Sequence, residues 1–174
     1  YIDDSSDEED MFLQVPLTIP DHTTSTNIYS AVAQLCYGKN NAVDLLELCG
    51  GQGRISQVAF KRRLTSGGNL DLVTGCDLGN PDTQKAAMHY LETCDVLVTV
   101  LQPNCRTTGP NSYYNSMMHY DTWNRHHQED LPHIKLCGQV ALKQMQLGRF
   151  FLREQPVRTW IDQIPPWPTV TQHE

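Results

Sequence analysis

The sequence predicts an α/β fold in which helices cover both faces of a mostly parallel sheet. Short apolar runs alternate along the chain with segments whose apolar residues recur at helical spacing. Each apolar run is continuous instead of alternating with polar residues, which is typical of strands buried on both faces of a sheet. Strands that alternate with helices in this way indicate a parallel sheet with helical crossovers.

Charge divides the chain into two parts. Residues 1–21 contain seven acidic residues and no lysine or arginine, within a chain of 174 residues whose formal net charge is −7. Removing those seven from the 20 acidic residues leaves 13, which balances the 13 lysines and arginines. We therefore expect an acidic, disordered segment at 1–21 and a single neutral domain at 22–174.

Composition also limits the class of protein. No stretch approaches the roughly 18 apolar residues of a membrane span, and the N-terminus lacks a basic-then-apolar signal pattern. Six cysteines are scattered without close pairs, which suits reduced thiols better than a disulfide framework. We therefore expect an intracellular protein, in the nucleus or cytoplasm, that does not contact a membrane. Its neutral body neither favours nor excludes nucleic-acid binding.

The first predicted elements surround a glycine-rich turn. Helical spacing of apolar residues predicts a helix over 27–37, and an apolar run predicts a strand over 42–48. After the turn, the spacing predicts a helix over 54–64. Ser66 to Asn69 resembles a turn, so the second strand is expected over 70–76, ending at Asp77.

The next elements are a helix and a strand of similar length. Pro81 suits a first helical turn and predicts a helix over 81–93. A third apolar run predicts a strand over 95–101. Residues 106–118 have the composition of a loop.

The last third is expected to be helical, then irregular. We expect a short helix over 120–130, a stronger one over 135–147 and a fourth strand over 150–153. The remaining residues are too rich in proline for regular structure. Four apolar residues of this end are expected to pack on the body: Trp160, Ile161, Ile164 and Trp167.

Glycine and polar residues gather where the four predicted strands end. They are Gly50–Gly53 after the first strand, Asp77 after the second, Pro103–Cys105 after the third and Glu154 after the fourth. Parallel sheets bind ligands outside the carboxyl ends of their strands. The sequence therefore predicts a ligand site at this edge.

The glycine-rich turn indicates what kind of ligand to expect. Glycines at a strand-to-helix turn let the backbone approach a ligand closely, although a tight turn without a ligand has the same composition. The turn departs from G-x-G-x-x-G and lacks the Lys and Ser/Thr of a phosphate-binding loop. Glu47 before it would repel phosphate and suits a cation. Asp77 fits either ribose hydroxyls or a helix cap.

Two other clusters have weaker signals. The histidines at 119, 126, 127 and 133 and Cys137 match no zinc spacing, and with Tyr113, Tyr114, Tyr120 and Trp123 they predict a polar, aromatic loop that could stack a base. Lys61-Arg62-Arg63 is the only basic run. Such a run is more typical of a solvated helix end than of a phosphate site.

Three motifs resemble class I S-adenosylmethionine-dependent methyltransferases, and among these most closely the cytosine-5 DNA methyltransferases. Glu47-Leu48-Cys49-Gly50-Gly51-Gln52-Gly53 is similar to their first motif, acid-Leu-x-x-Gly-x-Gly. Pro103-Asn104-Cys105 resembles their Pro-Cys nucleophile motif, and Arg153-Glu154-Gln155-Pro156 their Glu-Asn-Val motif. Order and approximate spacing agree over roughly residues 42–160. Methyltransferase-like segments of some retrotransposon polyproteins are also similar.

The resemblance implies a Rossmann-like methyltransferase fold, reduced in size, that uses S-adenosylmethionine to methylate cytosine in DNA. Cys105 would attack C6 as a thiolate, and Glu154, protonated through burial, would hold N3. Asn104, Arg106 and Arg153 would contact the substrate, whose target base would leave the duplex. No metal is implied. The implied cofactor contacts are Glu47, Cys49, Gly50, Gly51, Gln52, Gly53, Asp77, Leu78 and Pro103.

The chain also departs from that family. Asn104 replaces a proline, Arg106 replaces a glutamine, and the region between Asp77 and Cys105 has room for one helix and one strand where the family has two such steps. The target-recognition region is absent. Three hypotheses therefore stand: a cytosine-5 methyltransferase that needs another domain or subunit to bind DNA, an inactive binding or scaffold domain of a retroelement polyprotein, and a methyltransferase acting on RNA or another base.

Overall fold

A single parallel sheet of four strands forms the centre of the computed structural model, which describes residues 42–172. The acidic segment 1–21 and the predicted helix at 27–37 lie outside the described residues. The strand order is β2-β1-β3-β4, and every neighbouring pair is parallel. The strands are β1 (Ala42–Leu48), β2 (Ser66–Leu70), β3 (Asp95–Leu101) and β4 (Phe150–Arg153). The prediction of an α/β fold with a parallel sheet is confirmed.

Five α-helices lie within residues 42–172. They are α1 (Arg54–Lys61), α2 (Pro81–Thr93), α3 (Ser112–Met118), α4 (Tyr120–Gln146) and α5 (Trp167–Thr171), and short 3₁₀ turns cover Leu72–Thr74 and Ile161–Gln163. The predicted bounds of α2, β1, β3 and β4 are confirmed residue for residue. Local chemistry explains the start of α2, because Asn80 Oδ1 accepts a hydrogen bond from Asp82 N at 2.8 Å and Pro81 holds the first position.

The predicted position of the second strand is wrong. The strand covers Ser66–Leu70, the segment expected to be a turn, and the expected strand residues Leu72–Thr74 form a 3₁₀ turn. Gly67 is needed for packing, because a Cβ built on it would lie 2.6 Å from Tyr90 Oη and 3.1 Å from Leu46 Cδ1. Glycine inside a strand often marks such a close approach, which sequence propensity alone assigns to a turn.

The two helices expected at 120–130 and 135–147 are one continuous helix, and the loop expected at 106–118 contains α3. Pro132 lies inside α4 and deprives the Gln128 carbonyl of its helical donor. Gln128 is exposed, so water can satisfy that carbonyl. Buried residues on α4 beyond the proline, including Ile134, Cys137 and Val140, hold the helix against the sheet.

The hydrophobic core joins the central strands to α2, α4 and the C-terminal segment. Leu46, Val96 and Leu101 of the sheet are fully buried in the same cluster as Leu91 and Val140. The buried Gln144 side chain connects α4 to the sheet, because its Nε2 donates hydrogen bonds to the carbonyls of Val96 and Phe150. The expected packing of the C-terminal apolar residues is confirmed. Ile161, Ile164 and Trp167 are buried, and Trp160 is half-buried.

No helix among residues 42–172 is both long enough and apolar enough to span a bilayer.

Replacing Gly67 by alanine is expected to destabilise the fold by roughly 1–3 kcal/mol, the usual cost of overpacking a core. The new methyl group would meet the buried Tyr90 hydroxyl. Urea unfolding of Gly67→Ala, Tyr90→Phe and the double variant tests this contact. A double variant no more stable than the sum of the two single effects would contradict it.

Arg63→Gly is expected to stabilise the fold by about 1 kcal/mol. Arg63 follows the end of α1 with φ 60°, a left-handed conformation that glycine adopts without the penalty of a Cβ. Arg62→Gly is the matched control, because Arg62 has φ −90° and gains nothing from glycine. Equal effects of the two substitutions on the urea midpoint would contradict this account.

Candidate cofactor pocket and active site

A pocket of about 340 Å³ opens outside the carboxyl ends of β1 and β3. The chain leaves β1 for β2 on one side, and β3 lies on the other side of β1, so this is the point where the strand order reverses. Open parallel sheets bind ligands at such a switch point. The pocket is lined by Cys49, Gly51, Asp71, Leu72, Leu78, Gln102, Asn104, Asp130 and His133. The predicted edge therefore carries a pocket within the size range of small-molecule sites.

Hydrogen bonds hold the loops of this edge beside one another. Cys49 N donates to Leu70 O at 2.9 Å, Gln102 N to Leu48 O at 3.0 Å and Glu154 N to Leu101 O at 3.0 Å. The first residue after β1, β3 and β4 thus remains bonded to the neighbouring strand, and all of these loops begin from a rigid sheet.

The glycine turn after β1 has a specific backbone shape. Cys49, Gly51 and Gly53 have φ of 59°, 57° and 64°. Asn69 braces the turn from β2: its Oδ1 accepts from Gly50 N at 3.1 Å and its Nδ2 donates to Gly51 O at 2.8 Å. The turn therefore presents backbone, without a Cβ at Gly51, to the pocket.

Glu47 lies fully buried under this turn at the start of α1. Its Oε2 accepts a hydrogen bond from Ser56 N at 2.6 Å, in the first turn of the helix. Its Oε1 is buried and has no hydrogen-bond partner in the described chain, and the same holds for Gln102 Oε1. A buried acceptor without a donor is costly, so the two side chains together favour a ligand or water that donates hydrogen bonds.

The position of Glu47 excludes one class of ligand. The N-terminus of a helix is where nucleotide-binding folds hold phosphate. Here that place is filled by a carboxylate of the chain itself, which would repel a phosphate group. The pocket consequently suits a neutral or cationic ligand.

Asp71, and not Asp77, occupies the end of β2. Asp71 Oδ2 accepts from Gly51 N at 2.9 Å and its Oδ1 from Val73 N at 2.9 Å, and each oxygen keeps a further lone pair beside the pocket. Asp77 is exposed, and its Oδ1 accepts from Gly79 N at 2.9 Å. The prediction that Asp77 ends the strand is wrong because β2 is shifted towards the N-terminus.

Cys49 lines the pocket, and two further cysteines, Cys76 and Cys137, are its neighbours. Burial, with the neighbouring Cys49, Asp77 and Asp71, raises the pKa of Cys76 from its ordinary 9.0 to about 11. A hydrogen bond with Cys49, together with burial, raises the pKa of the Cys137 thiol well above its ordinary value. At neutral pH Cys76 and Cys137 are therefore protonated and suited to packing instead of nucleophilic attack.

Asn104 and Cys105 follow one another in the loop after β3, but only Asn104 lines the pocket. Pro103 is buried, and its carbonyl accepts from Gln155 Nε2 at 2.7 Å. Asn104 reaches the pocket lining, and its Oδ1 accepts from Arg106 N at 2.9 Å. Cys105 is exposed beside the pocket, at the start of a tight turn in which its carbonyl accepts from Gly109 N at 2.7 Å. Its thiol is accessible to a substrate.

Both arginines expected to contact a substrate are engaged by acids of the chain. Arg106 Nε donates to the buried Asp130 at 2.9 Å, and its NH2 group to Glu129 at 2.8 Å. These bonds, Asp130 foremost, raise the pKa of Arg106. Arg153 pairs with Asp162 and lies over the Trp167 ring, 4.9 Å from its centroid.

The Glu154 side chain is exposed and makes no hydrogen bond or ion pair within residues 42–172. The burial that a protonated catalytic carboxyl would require is therefore not provided by the described residues. Of the residues expected to contact a cofactor, Cys49, Gly51 and Leu78 line the pocket. Gln52 is exposed, with its carbonyl accepting from Gln57 Nε2.

Sequence reasoning did not assign five lining residues to the pocket: Asp71, Leu72, Gln102, Asp130 and His133. Asp130 and His133 lie three positions apart on α4, a spacing that places them on one face of a helix. Predicting two helices, over 120–130 and 135–147, left His133 outside both and hid that spacing.

The expected aromatic layer exists in part. Trp123 and His127 stack with centroids 4.9 Å apart, and Trp160 packs against both. Burial lowers the pKa of His127. Its Nδ1 lies 3.4 Å from Thr107 Oγ1, and Thr107 Oγ1 donates to Asp130. Tyr113, Tyr114 and Tyr120 are exposed. No group of three or more His, Cys, Asp or Glu within residues 42–172 has the arrangement of a metal site.

Comparisons with protein-family models, with curated protein sequences and with solved structures gave no match to this chain.

Cys105 is expected to react with a maleimide at pH 8 at least about tenfold faster than Cys76 or Cys137, because it is exposed while the other two are shielded and protonated. Peptide mapping by mass spectrometry measures the three rates in one sample. Comparable rates would contradict the arrangement of this edge.

The raised pKa of Cys76 also predicts a pH dependence of stability. The folded chain keeps this proton up to about pH 11, while the unfolded chain loses it near 9.0. This group therefore leaves stability unchanged below pH 9 and lowers it as the pH rises towards 11. Urea unfolding measures the free energy of unfolding of the chain and of Cys76→Ala. The difference between the two values should stay constant up to about pH 9 and change above it. A difference that changes between pH 6 and 8 would contradict this.

Proposed function

We propose that the chain is an S-adenosylmethionine-binding domain of the methyltransferase type, with cytosine in nucleic acid as its methyl acceptor. The observation that supports it most strongly is the pocket at the strand-order reversal, which is lined by Gly51 of the glycine turn and by Asp71, with Glu47 buried beneath that turn. The Rossmann-like methyltransferase fold is part of this proposal, because the strand order β2-β1-β3-β4 is compatible with it.

The chemistry of the pocket fits this cofactor better than a nucleotide. S-adenosylmethionine combines a nucleoside and an amino acid through a sulfonium and carries no phosphate. The carboxylate that fills the start of α1 would repel a phosphate and attract a cation. Gln102 Oε1, which has no partner within residues 42–172, supplies an acceptor for an ammonium group at the pocket wall, directly or through water, and Glu47 lies buried beneath the glycine turn.

Other residues of the pocket wall would contact the ribose and the adenine of the cofactor. Asp71, at the end of β2, accepts hydrogen bonds from ribose hydroxyls through its free lone pairs. Leu78 and Leu72 offer apolar surface to the adenine ring, and Gly51 allows backbone contact without a Cβ. The cofactor, when bound, supplies a methyl group on a positively charged sulfur.

Cys105 is the proposed nucleophile, because its exposed thiol lies one residue from the pocket wall. As a thiolate, its Sγ forms a bond to C6 of cytosine, and electron density moves to C5. C5 would then take the methyl group as the methyl carbon–sulfur bond of the sulfonium breaks and S-adenosylhomocysteine leaves. Loss of the C5 proton to water would allow the Cys105 Sγ–C6 bond to break and return the thiolate. Asn104 holds the base edge between thiol and cofactor.

Binding of S-adenosylmethionine and S-adenosylhomocysteine to the full chain, measured calorimetrically, is expected at micromolar concentration. Asp71→Asn and Gly51→Asp are expected to weaken it at least tenfold, because the first removes the acceptor charge and the second places a carboxylate into the pocket. Asp121→Asn, an exposed acid in the first turn of α4, is the control and should bind normally. A folded chain without binding at millimolar ligand would refute the cofactor assignment.

A second function is favoured by one observation on the catalytic side. Glu154 is exposed and Arg153 is held by Asp162, so the described residues do not assemble the catalytic acid of a cytosine-5 enzyme. That arrangement supports a domain that binds its ligand without turnover, as a scaffold or a partner-dependent subunit.

Trapping on DNA and RNA oligonucleotides containing 5-fluorocytosine separates these functions. The cytosine-5 reaction predicts a covalent adduct at Cys105 that Cys105→Ser abolishes, together with loss of methyl transfer. Methyl transfer that survives Cys105→Ser would indicate another base or atom. Cofactor binding without adduct or transfer would establish the non-catalytic function for the isolated chain.

A further inference from the structure

We propose that the acidic segment 3–10 docks in a basic groove of its own chain, at the end of the sheet opposite to the cofactor pocket. The groove has a volume of about 560 Å³ and is lined by Phe60, Lys61, Arg63, Leu64 and Thr65. This inference does not depend on the proposed function, because it concerns a different edge of the sheet.

The groove region carries positively charged side chains that have no acidic partner within residues 42–172. Lys61, Arg62 and Arg63 are consecutive and exposed, and none of them makes an ion pair or side-chain hydrogen bond within residues 42–172. Five other basic residues of that part of the chain are ion-paired: Lys85, Arg106, Lys143, Arg149 and Arg153. One acid, Asp44, is bonded to the groove wall, where its Oδ2 accepts from Thr65 N at 2.7 Å. The groove therefore keeps a net positive charge.

The backbone conformation of Arg63 supports a binding role for its side chain. Arg63 has φ 60°, a conformation in which glycine is the favoured residue after a helix end. Its N–H donates to Phe60 O at 2.9 Å, and Leu64 N donates to Ala59 O at 3.0 Å, which fixes the arginine at the rim of the groove. Strained positions of this kind are concentrated at functional sites. Phe60 beside it is 78% exposed.

The position of the groove favours the chain's own N-terminus as its occupant. Residues 41 and below join the described chain at Ala42, the first residue of β1. Asp44 N donates to Thr65 O at 2.9 Å, so the start of β1 is bonded to the groove wall. Residues 11–41 can extend to at most about 100 Å, so the connection does not restrict the acidic segment from reaching the groove.

Charge complementarity identifies which part of the N-terminus docks. Residues 3–10, DDSSDEED, contain six acids and no base, whereas the rest of the chain is close to neutral. A covalently attached segment has an effective concentration in the millimolar range, so weak exposed ion pairs suffice to hold it. Within about 8 Å, the screening length at physiological salt, these charges attract the groove strongly. A nucleic acid that used the groove would first have to displace the segment.

Zero-length carbodiimide cross-linking of the full chain tests this contact. We expect an amide between Lys61 and a carboxylate of residues 3–10, identified by mass spectrometry. Lys135, an exposed and unpaired lysine on α4, is the internal control and should cross-link less. The Lys61 product should disappear in 1 M NaCl, where the screening length falls to about 3 Å.

Arg63→Gly provides a variant that keeps the fold. It suits the backbone at this position, so its urea midpoint should rise while the yield of the Lys61 product falls about two- to fivefold, the effect of losing one exposed ion pair. Arg125→Gln, which removes an exposed and unpaired charge on α4, should leave the yield unchanged. An unchanged yield in Arg63→Gly would overturn the proposal.

Two further outcomes identify a different occupant. Cross-links that join ¹⁴N-labelled to ¹⁵N-labelled chains in a mixed sample would show that the segment binds a second copy. Protection of Lys61 from acetylation by a single-stranded oligonucleotide, with no cross-link to residues 3–10, would show that the groove serves nucleic acid. Either result would replace the intramolecular contact proposed here.

Discussion

The parallel pairing of β1 with β3 determines where every group of the candidate site lies. The two strands run in register from Ala42 opposite Asp95 to Leu48 opposite Leu101, so both end at the same level. The glycine turn and the Gln102–Cys105 loop therefore begin side by side. Because β2 lies on the far side of β1, the two loops diverge and leave the pocket between them. A shift of one residue in this register would move Glu47 to the other face of the sheet.

Glu47, near the end of β1, influences which ligand the pocket can accept. A fully buried carboxylate requires compensation, and the Ser56 N–H and the start of α1 supply part of it on one oxygen. The other oxygen faces Gly50, where an added Cβ would lie 2.8 Å away, and it lacks a donor. The chain thus uses its own negative charge at the place where related architectures accept phosphate. The preference for a cationic, phosphate-free ligand follows from this one placement.

The proposed cofactor side and the proposed substrate side of the pocket differ in how completely they are formed. Asn69, Asp71 and Glu47 brace the glycine turn with hydrogen bonds of 2.6–3.1 Å. On the substrate side, Cys105 and Glu154 are exposed, and Arg106 and Arg153 bind acids of the chain. The braced turn is suited to holding a small ligand, whereas the proposed substrate side would need another molecule or segment to enclose a base. Arg106 has a structural role, since its ion pair with Asp130 connects the loop after β3 to α4.

Sequence alone determined the elements whose signals are local. The continuous apolar runs of β1 and β3, the Asn80-Pro81 start of α2 and the glycine turn after β1 fix their own conformations, so their bounds were predicted correctly. The predicted strand ends placed Gly51 and Asn104 at the pocket, and the resemblance to methyltransferases added Cys49 and Leu78. Tertiary structure decided the rest. Gly67 lies in a strand, where the close approach of Tyr90 leaves no room for a Cβ. Helix α4 continues through Pro132 because its buried face packs against the sheet. Asp71 therefore replaces Asp77, and Asp130 and His133 complete the wall, because contacts distant in sequence outweigh local propensity at those positions.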